Sequence, residues 1–321
     1  MKKNLFVAII GILTVVSCGK DNNVVPEQPQ EPEQETFVPV FSISENEKVQ
    51  FSPGNLQFQP SGYIWRFADN QYDMIGSANT NISISYSGWI DLFGWGTSGR
   101  HDYADPNNIC YAPTSYRKTY DHDNNYNATG YGPSMNMADI NLTGTSAIYD
   151  WGVNRSFMHR GATIEGSWRT LSKAEWEYLL ELRQCATVSG VPNSRHANVM
   201  VNYVRGLLIF PDNYVHPDGV TAINATDING VRTEYDNTHS TFSVQDWEKM
   251  EKAGAVFLPA CGFRSGTEVK ATNTNGFYWS TTRIDKGKSE RIYFQSSYNR
   301  FSTTGCNFEG AAVRLVKDYV E

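Results

Sequence analysis

Trp168-Arg169-Thr170-Leu171-Ser172-Lys173-Ala174-Glu175-Trp176-Glu177-Tyr178 is the stretch of this sequence whose reading decides the fold. Ser172 stands where a helix N-cap belongs, with a hydroxyl that accepts from a backbone N–H in the first turn. Glu175, three residues on, is placed to reach back to the cap, completing a capping box. Trp176, Leu179 and Leu180 then follow at the spacing of a buried helical stripe. Ser243-Val244-Gln245-Asp246-Trp247-Glu248 repeats the pattern, with Trp247 and Met250 inward and Gly254 in place to close the helix. The spacing predicts two helices, starting at Ser172 and Ser243.

Around them the sequence reads as strand. After Phe37, short β-like runs alternate with Gly, Asn, Ser and Pro turns. Tyr63, Trp65 and Phe67 alternate with Ile64, Arg66 and Ala68, and Ile82, Ile84 and Tyr86 alternate with serines. Similar runs recur at 207–210, 256–258, 292–294 and 313–316. Residues 100–151 are rich in Asn, Asp, Tyr and Gly without sustained periodicity and read as long loop on a rigid frame. The expected class is α+β: short twisted antiparallel strands, two helices and long loops. No boundary interrupts residues 40–321, which read as one domain with a β-rich N-terminal extension.

The 321 residues, 40% hydrophobic and 19% charged, suit a folded chain and exclude a disordered, collagen-like or multi-span membrane protein. Net charge is −7, and no run of Lys or Arg follows the first three residues, so nucleic acid and anionic lipid are not expected partners. Lys2 and Lys3 precede an apolar stretch, 5–16, too short to span a bilayer but sized for a signal-peptide core. It ends Val15-Val16-Ser17-Cys18-Gly19, which resembles the bacterial lipobox, so residues 1–17 read as a lipoprotein signal and Cys18 as the acylated residue. Residues 18–39, with Pro26, Pro29 and Pro32 among four glutamates, form an extended Pro/Glu-rich tether. The signal and tether hold three lysines and five acids, which leaves a net charge of −5 on the rest and predicts no strong electrostatic steering.

Chemistry-bearing motifs are sparse. With Cys18 assigned to lipid, Cys110, Cys185, Cys261 and Cys306 allow three disulfide pairings or four free thiols. The sequence holds no C-x-x-C, H-E-x-x-H, G-x-S-x-G or glycine-rich phosphate loop. Asp121, Asp123, Asn125 and Asn127 offer oxygen side chains at alternate positions, as a calcium loop does. Tyr126 and Gly132, however, stand where that loop needs glycine and a bidentate glutamate, so a solvated turn is the stronger reading and no cofactor is expected. His101, His122 and His159 read as solvated. Aromatics gather at 89–131 and again at Tyr278, Trp279, Tyr293 and Tyr298. Rings with polar tips suit binding surfaces, although a ring within a strand more often belongs to the core.

The opening stretch resembles the W-R-L-P-T-E-A-E-W-E-Y segment of formylglycine-generating-enzyme-like (sulfatase-modifying-factor) domains, a branch of the C-type lectin-like fold. Gly276-Phe277-Tyr278-Trp279-Ser280-Thr281-Thr282, Ile292-Tyr293-Phe294 and Ala312-Val313-Arg314-Leu315-Val316 resemble the closing strands of that fold. Together with Gly254-Ala255-Val256-Phe257-Leu258-Pro259-Ala260, this order is similar to Bacteroides-type surface lipoproteins. The resemblance implies an outer-membrane lipoprotein at the cell surface or facing the periplasm, held by its lipid anchor alone. It does not carry the activity. The enzymes need a closely spaced cysteine pair, whereas Cys261 and Cys306 lie 45 residues apart. The calcium-dependent lectins use an E-P-N or Q-P-D tripeptide, of which only Pro211-Asp212-Asn213 remains.

The resulting expectation is a non-catalytic surface module that binds a glycan or a protein, with adhesion as one use. An enzyme related to the formylglycine-generating family with an altered site is one alternative. The other is a variable ligand-binding protein of a diversity-generating retroelement, since such proteins use this fold and display residues just before its closing strand. Taking Ile292 and Phe294 as inward places Arg291, Tyr293 and Gln295 on the opposite, exposed face, with Tyr298, Asn299 and Arg300 in the following turn. These six are the candidate ligand-binding residues.

Overall fold

Ser172 and Ser243 each begin a helix. At α1 (Lys173–Glu177) the Glu175 N–H donates to Ser172 Oγ at 3.3 Å, and Glu175 Oε2 accepts from the Ser172 N–H at 2.6 Å, so both halves of the box form. At α2 (Val244–Lys252) the Asp246 N–H donates to Ser243 Oγ at 3.1 Å, and the serine hydroxyl donates to Asp246 Oδ2 at 2.8 Å. Trp176, Leu179, Leu180, Trp247 and Met250 are all buried. The computed structural model describes residues 38–81, 85–101, 109–111, 141–230, 239–285, 287–295, 298–307 and 309–320. Cys18, the tether, the Ile82–Ile84 alternation and the calcium candidates Asp121, Asp123, Asn125 and Asn127 lie outside these described residues.

The two helices end differently. α2 closes on Gly254 at φ 88, whose N–H donates to Glu251 O at 2.9 Å while the Ala255 N–H donates to Met250 O at 3.0 Å. This is a Schellman motif, and the left-handed residue it needs is most readily glycine. α1 instead widens into a π turn over Tyr178–Leu182, and the Leu179 carbonyl accepts from Nε of the fully buried Arg183 at 2.7 Å. Arg183 also meets Asp212 Oδ1 at 2.6 Å, and Asp212 Oδ2 accepts from the Ser42 hydroxyl at 2.6 Å. The carboxylate in Pro211-Asp212-Asn213 is therefore committed to joining the first strand to the end of α1.

The fold is mixed α+β and mostly strand, with no closed barrel among the described residues. Phe41–Ser42, Lys48–Phe51, Leu315–Tyr319 and Trp168–Thr170 form one antiparallel sheet that ties the two ends of the domain together. A second sheet holds Leu56–Gln59, Ile64–Phe67, Ser156–His159 and Ala162–Glu165, and a third holds Thr241–Phe242, His196–Val201, Val204–Ile209 and Val256–Pro259. Each contains one parallel pair, so the sheets are not purely antiparallel as expected. The fourth is a meander of long strands, Asn275–Asp285, Lys288–Gln295 and Tyr298–Cys306.

Residues 310–316 thread between these layers. The Ala312 N–H donates to Phe277 O at 2.9 Å, the Trp279 N–H donates to Ala312 O at 3.0 Å, and the Leu56 N–H donates to Val313 O at 3.0 Å. Arg314 is fully buried between Asn55 Oδ1, Phe257 O and Gln71 Oε1, and burial pushes its guanidinium down to about 10. Gln71 passes the contact on to Glu251 of α2 at 2.7 Å.

Two further expectations need correction. The 100–151 stretch is not loop throughout: Ser98–His101 pairs with Ile109–Tyr111, and 3₁₀ turns occupy Gly144–Tyr149 and Trp151–Asn154. Tyr63 does not extend the strand Ile64–Phe67 but sits in its turn at φ 53, 43% exposed, with its ring edge-on to Phe58 at 5.5 Å.

Candidate ligand-binding face

The strand Lys288–Gln295 runs between its two neighbours, so its side chains alternate between two sheet faces. Ile292 and Phe294 point into the core with Tyr278 and Phe301, as their spacing requires. Opposite Ile292 the third strand bulges: Arg291 pairs with Thr303 and Tyr293 with Arg300, which leaves Phe301 and Ser302 facing one residue. The bulge lets Phe301 fill the core while Arg300 returns to the face of Tyr293.

That second face is built from rings and a guanidinium. Arg291 lies over Phe277 at 4.5 Å and Trp279 at 5.6 Å, and its Nη1 meets Glu309 Oε2 at 2.8 Å. The Tyr293 ring packs on Phe277 at 4.9 Å, Phe277 packs on Phe263 at 5.2 Å, and the Tyr293 hydroxyl donates to Gln295 Oε1 at 2.9 Å. Burial lowers the Arg291 pKa and Glu309 opposes that shift, so the pair holds a cation against an aromatic surface.

The candidate residues therefore divide. Arg291 is only 9% exposed and belongs to the support of the face rather than to its open surface, because Phe277 and Glu309 cover it. Tyr293 and Gln295 are half-buried, and Arg300, opposite Tyr293, is exposed. Tyr298, Asn299 and Arg300 are not turn residues but open the strand Tyr298–Cys306. Asn299 pairs with Phe294 and so lies on the core side, where its Oδ1 accepts from Asn198 Nδ2 at 3.2 Å; the same amide donates to Gln295 O at 2.9 Å. Tyr298 pairs with Gln295 in the backbone ladder, and its side chain lies outside what is described. Sequence reasoning missed Phe263 and Glu309. Nothing local marks either one, since each reaches the face from a separate segment.

A larger open cleft of about 1030 Å³ borders the opening stretch, lined by Asp150, Trp168, Arg169, Glu175 and Asp318 among others. The charged groups named are held by neighbours. Arg169 Nη2 meets Glu175 at 2.7 Å and Asp318 at 2.8 Å. Asp150, pushed up to about 6 by burial, accepts from the Thr170 N–H at 2.9 Å and the Thr170 hydroxyl at 2.6 Å.

The thiols are placed separately. Cys185, Cys261 and Cys306 are all free. Cys261 is fully buried beside Asn55 Nδ2 at 3.5 Å and the Tyr278 hydroxyl at 3.9 Å, and burial raises its pKa well above the ordinary thiol value. Cys185 donates to Ser194 O at 3.0 Å, and Cys306 is half-buried at the end of its strand. No cluster of three or more His, Cys, Asp or Glu side chains suited to a metal occurs among the described residues, and no helix there is long and apolar enough to cross a membrane.

Comparison with family models, with curated proteins and with solved structures finds no match to this chain.

Proposed function

We propose that this protein is a lipid-anchored, non-catalytic surface module of C-type lectin-like fold, in the formylglycine-generating-enzyme branch, that binds a glycan or a protein ligand. The observation that carries the reading is the second face of the C-terminal sheet. There Phe263, Phe277 and Tyr293 form a continuous ring cluster, with Phe277 buried and Phe263 and Tyr293 half-buried, beside the Arg291–Glu309 pair and edged by the exposed Arg300. A half-buried ring with a polar tip, here Tyr293, gains contact area at little entropic cost, and a neighbouring guanidinium adds charge-assisted hydrogen bonds. The pairing of Leu315–Tyr319 with Lys48–Phe51 and Trp168–Thr170 supports the closing-strand reading of the C-terminal segment. The enzyme alternative has less support, because a redox metal needs accessible thiolates and Cys261 is buried in its protonated form.

The test is the full-length protein, in detergent, on arrays of immobilised glycans and bacterial surface proteins. Binding that falls about tenfold or more on Arg300→Ala, with the melting temperature unchanged, supports this face as the site. Binding at full strength in that variant removes the site from the sheet, and turnover of any substrate removes the non-catalytic reading. Cys18→Ala should abolish partitioning with membranes; a variant that still partitions quantitatively overturns the anchor.

A further inference from the structure

The hairpin joining His196–Val201 to Val204–Ile209 turns through two residues, Asn202 at φ 47 and Tyr203 at φ 63. Such a turn needs positive φ at both central positions, and glycine is the ordinary occupant of the second. A tyrosine there costs backbone strain that the hairpin itself does not require. Tyr203 recovers nothing visible in exchange: it is 80% exposed, and among the described residues neither its ring nor its hydroxyl has a partner. Tyr63, the other tyrosine with left-handed backbone among the described residues, is different, because its ring packs against Phe58.

The base of the turn is rigid. Asn273 Oδ1 accepts from the Arg205 N–H at 2.7 Å, and Asn273 Nδ2 donates to Tyr203 O at 3.2 Å, so one side chain clamps both sides of the tip. Asn273 lies two residues before Asn275, whose backbone pairs with Gln295. The turn therefore lies at the end of the domain where the C-terminal sheet ends at Gln295. The neighbours in the two turns, Asn202, Thr272 and Thr274, are exposed and polar. A lone ring without an apolar collar is a poor anchor for a protein interface, which needs surrounding contacts to exclude water. A pyranose needs less, only a flat ring for its C–H face and amides or hydroxyls for its edge.

We infer that Tyr203 is a ligand-contacting residue and that the class of ligand it takes is a neutral pyranose saccharide. The inference rests on the reading of the protein as a binding module and narrows it. The experiment uses the full-length protein in detergent on an array of neutral hexopyranose oligosaccharides, comparing wild type with Tyr203→Gly and Tyr203→Phe. The expected result is saccharide binding by wild type, retained by Tyr203→Phe and reduced about tenfold or more in Tyr203→Gly, whose Tm is unchanged or up to about 4 °C higher because strain is relieved. A glycine variant that binds as wild type overturns the role of Tyr203 and leaves the module reading standing. Weakened binding with a lowered Tm overturns it as well, since the ring then supports the fold. If wild type binds no saccharide, the ligand class is overturned, and the protein array decides separately whether this is a binding module.

Discussion

The strand Lys288–Gln295 is covered on both faces, but by opposite chemistry. On one, Ile292 and Phe294 are 1% and 2% exposed, and Phe294 stacks on Tyr278 at 5.9 Å. On the other, the Arg291 guanidinium lies over Phe277 and the Tyr293 ring packs on it at a tilt of 36°, and both keep polar ends for Glu309 and Gln295. The first face excludes water. The second is covered by amphipathic side chains that pack on apolar rings while their polar ends stay paired, and of the two only Tyr293 is half-buried rather than buried. Sidedness along a strand is thus no measure of exposure, and a residue opposite the core can still be a structural support.

The comparison breaks most visibly at Phe294. Phe294→Ala should cost about 3–5 kcal/mol in urea unfolding, because it opens a cavity in a closed core. A Cβ at Gly276 would fall 2.0 Å from the Phe294 ring, so Gly276→Ala should also destabilise, by roughly 1–3 kcal/mol. If either variant unfolds like wild type, the packing of this face is wrong.

The core side also carries a pH signature. His196 packs edge-on to Phe301 at 4.9 Å, and burial, with Arg183 and Arg195, pushes its pKa down to about 3. The unfolded chain takes up this proton near pH 6.5 and the folded chain does not, so stability is lost as pH falls below 6.5 at about 1.4 kcal/mol per unit. Asp91 and Asp150, both pushed up to about 6 by burial, act in the opposite sense, because the folded state holds their protons between about pH 4 and 6. The measurement is therefore a difference. Between pH 6.5 and 4.5, His196→Phe should gain on wild type by about 2–3 kcal/mol, and a constant gap would mean that His196 protonates in the folded state.

On the second face the effects are smaller. Arg291→Ala uncovers Phe277 and leaves Glu309 without its cation, so a loss of about 2 kcal/mol is expected. Arg291→Lys, which keeps the charge but not the guanidinium over the Phe277 ring, should recover only part of it. Tyr293→Ala should cost about 1 kcal/mol through lost packing, while Arg300→Ala should stay within about 0.5 kcal/mol. Equal costs at Arg291 and Arg300 would erase the distinction between support and open surface.

How much of this was legible varies with the range of the interactions. The caps at Ser172 and Ser243, the inward Trp176 and Trp247, and the alternation at Ile292 and Phe294 could all be read from neighbours within four residues. The Gly254 stop belongs with them. The sequence also carried enough strand and turn signal to define a mixed α+β class. It could not show the bulge at Phe301 and Ser302, which brings Arg300 to the face of Tyr293 and turns Asn299 inward, since a one-residue shift depends on what the core has room for.

What the sequence by itself determined is therefore local: where the helices start, which side of a strand is apolar, and that C-x-x-C, H-E-x-x-H and G-x-S-x-G are absent. Only the tertiary structure decided that Arg291 is covered and Arg300 is not, that Arg183 and Asp212 hold one another, and that Cys261 is sealed beside Tyr278. The reason is physical. Capping and periodicity arise from hydrogen bonds and side-chain directions fixed within a turn or two of chain, whereas burial of a polar group depends on partners such as Glu309, Phe277 and Asn55 that chain folding brings from elsewhere.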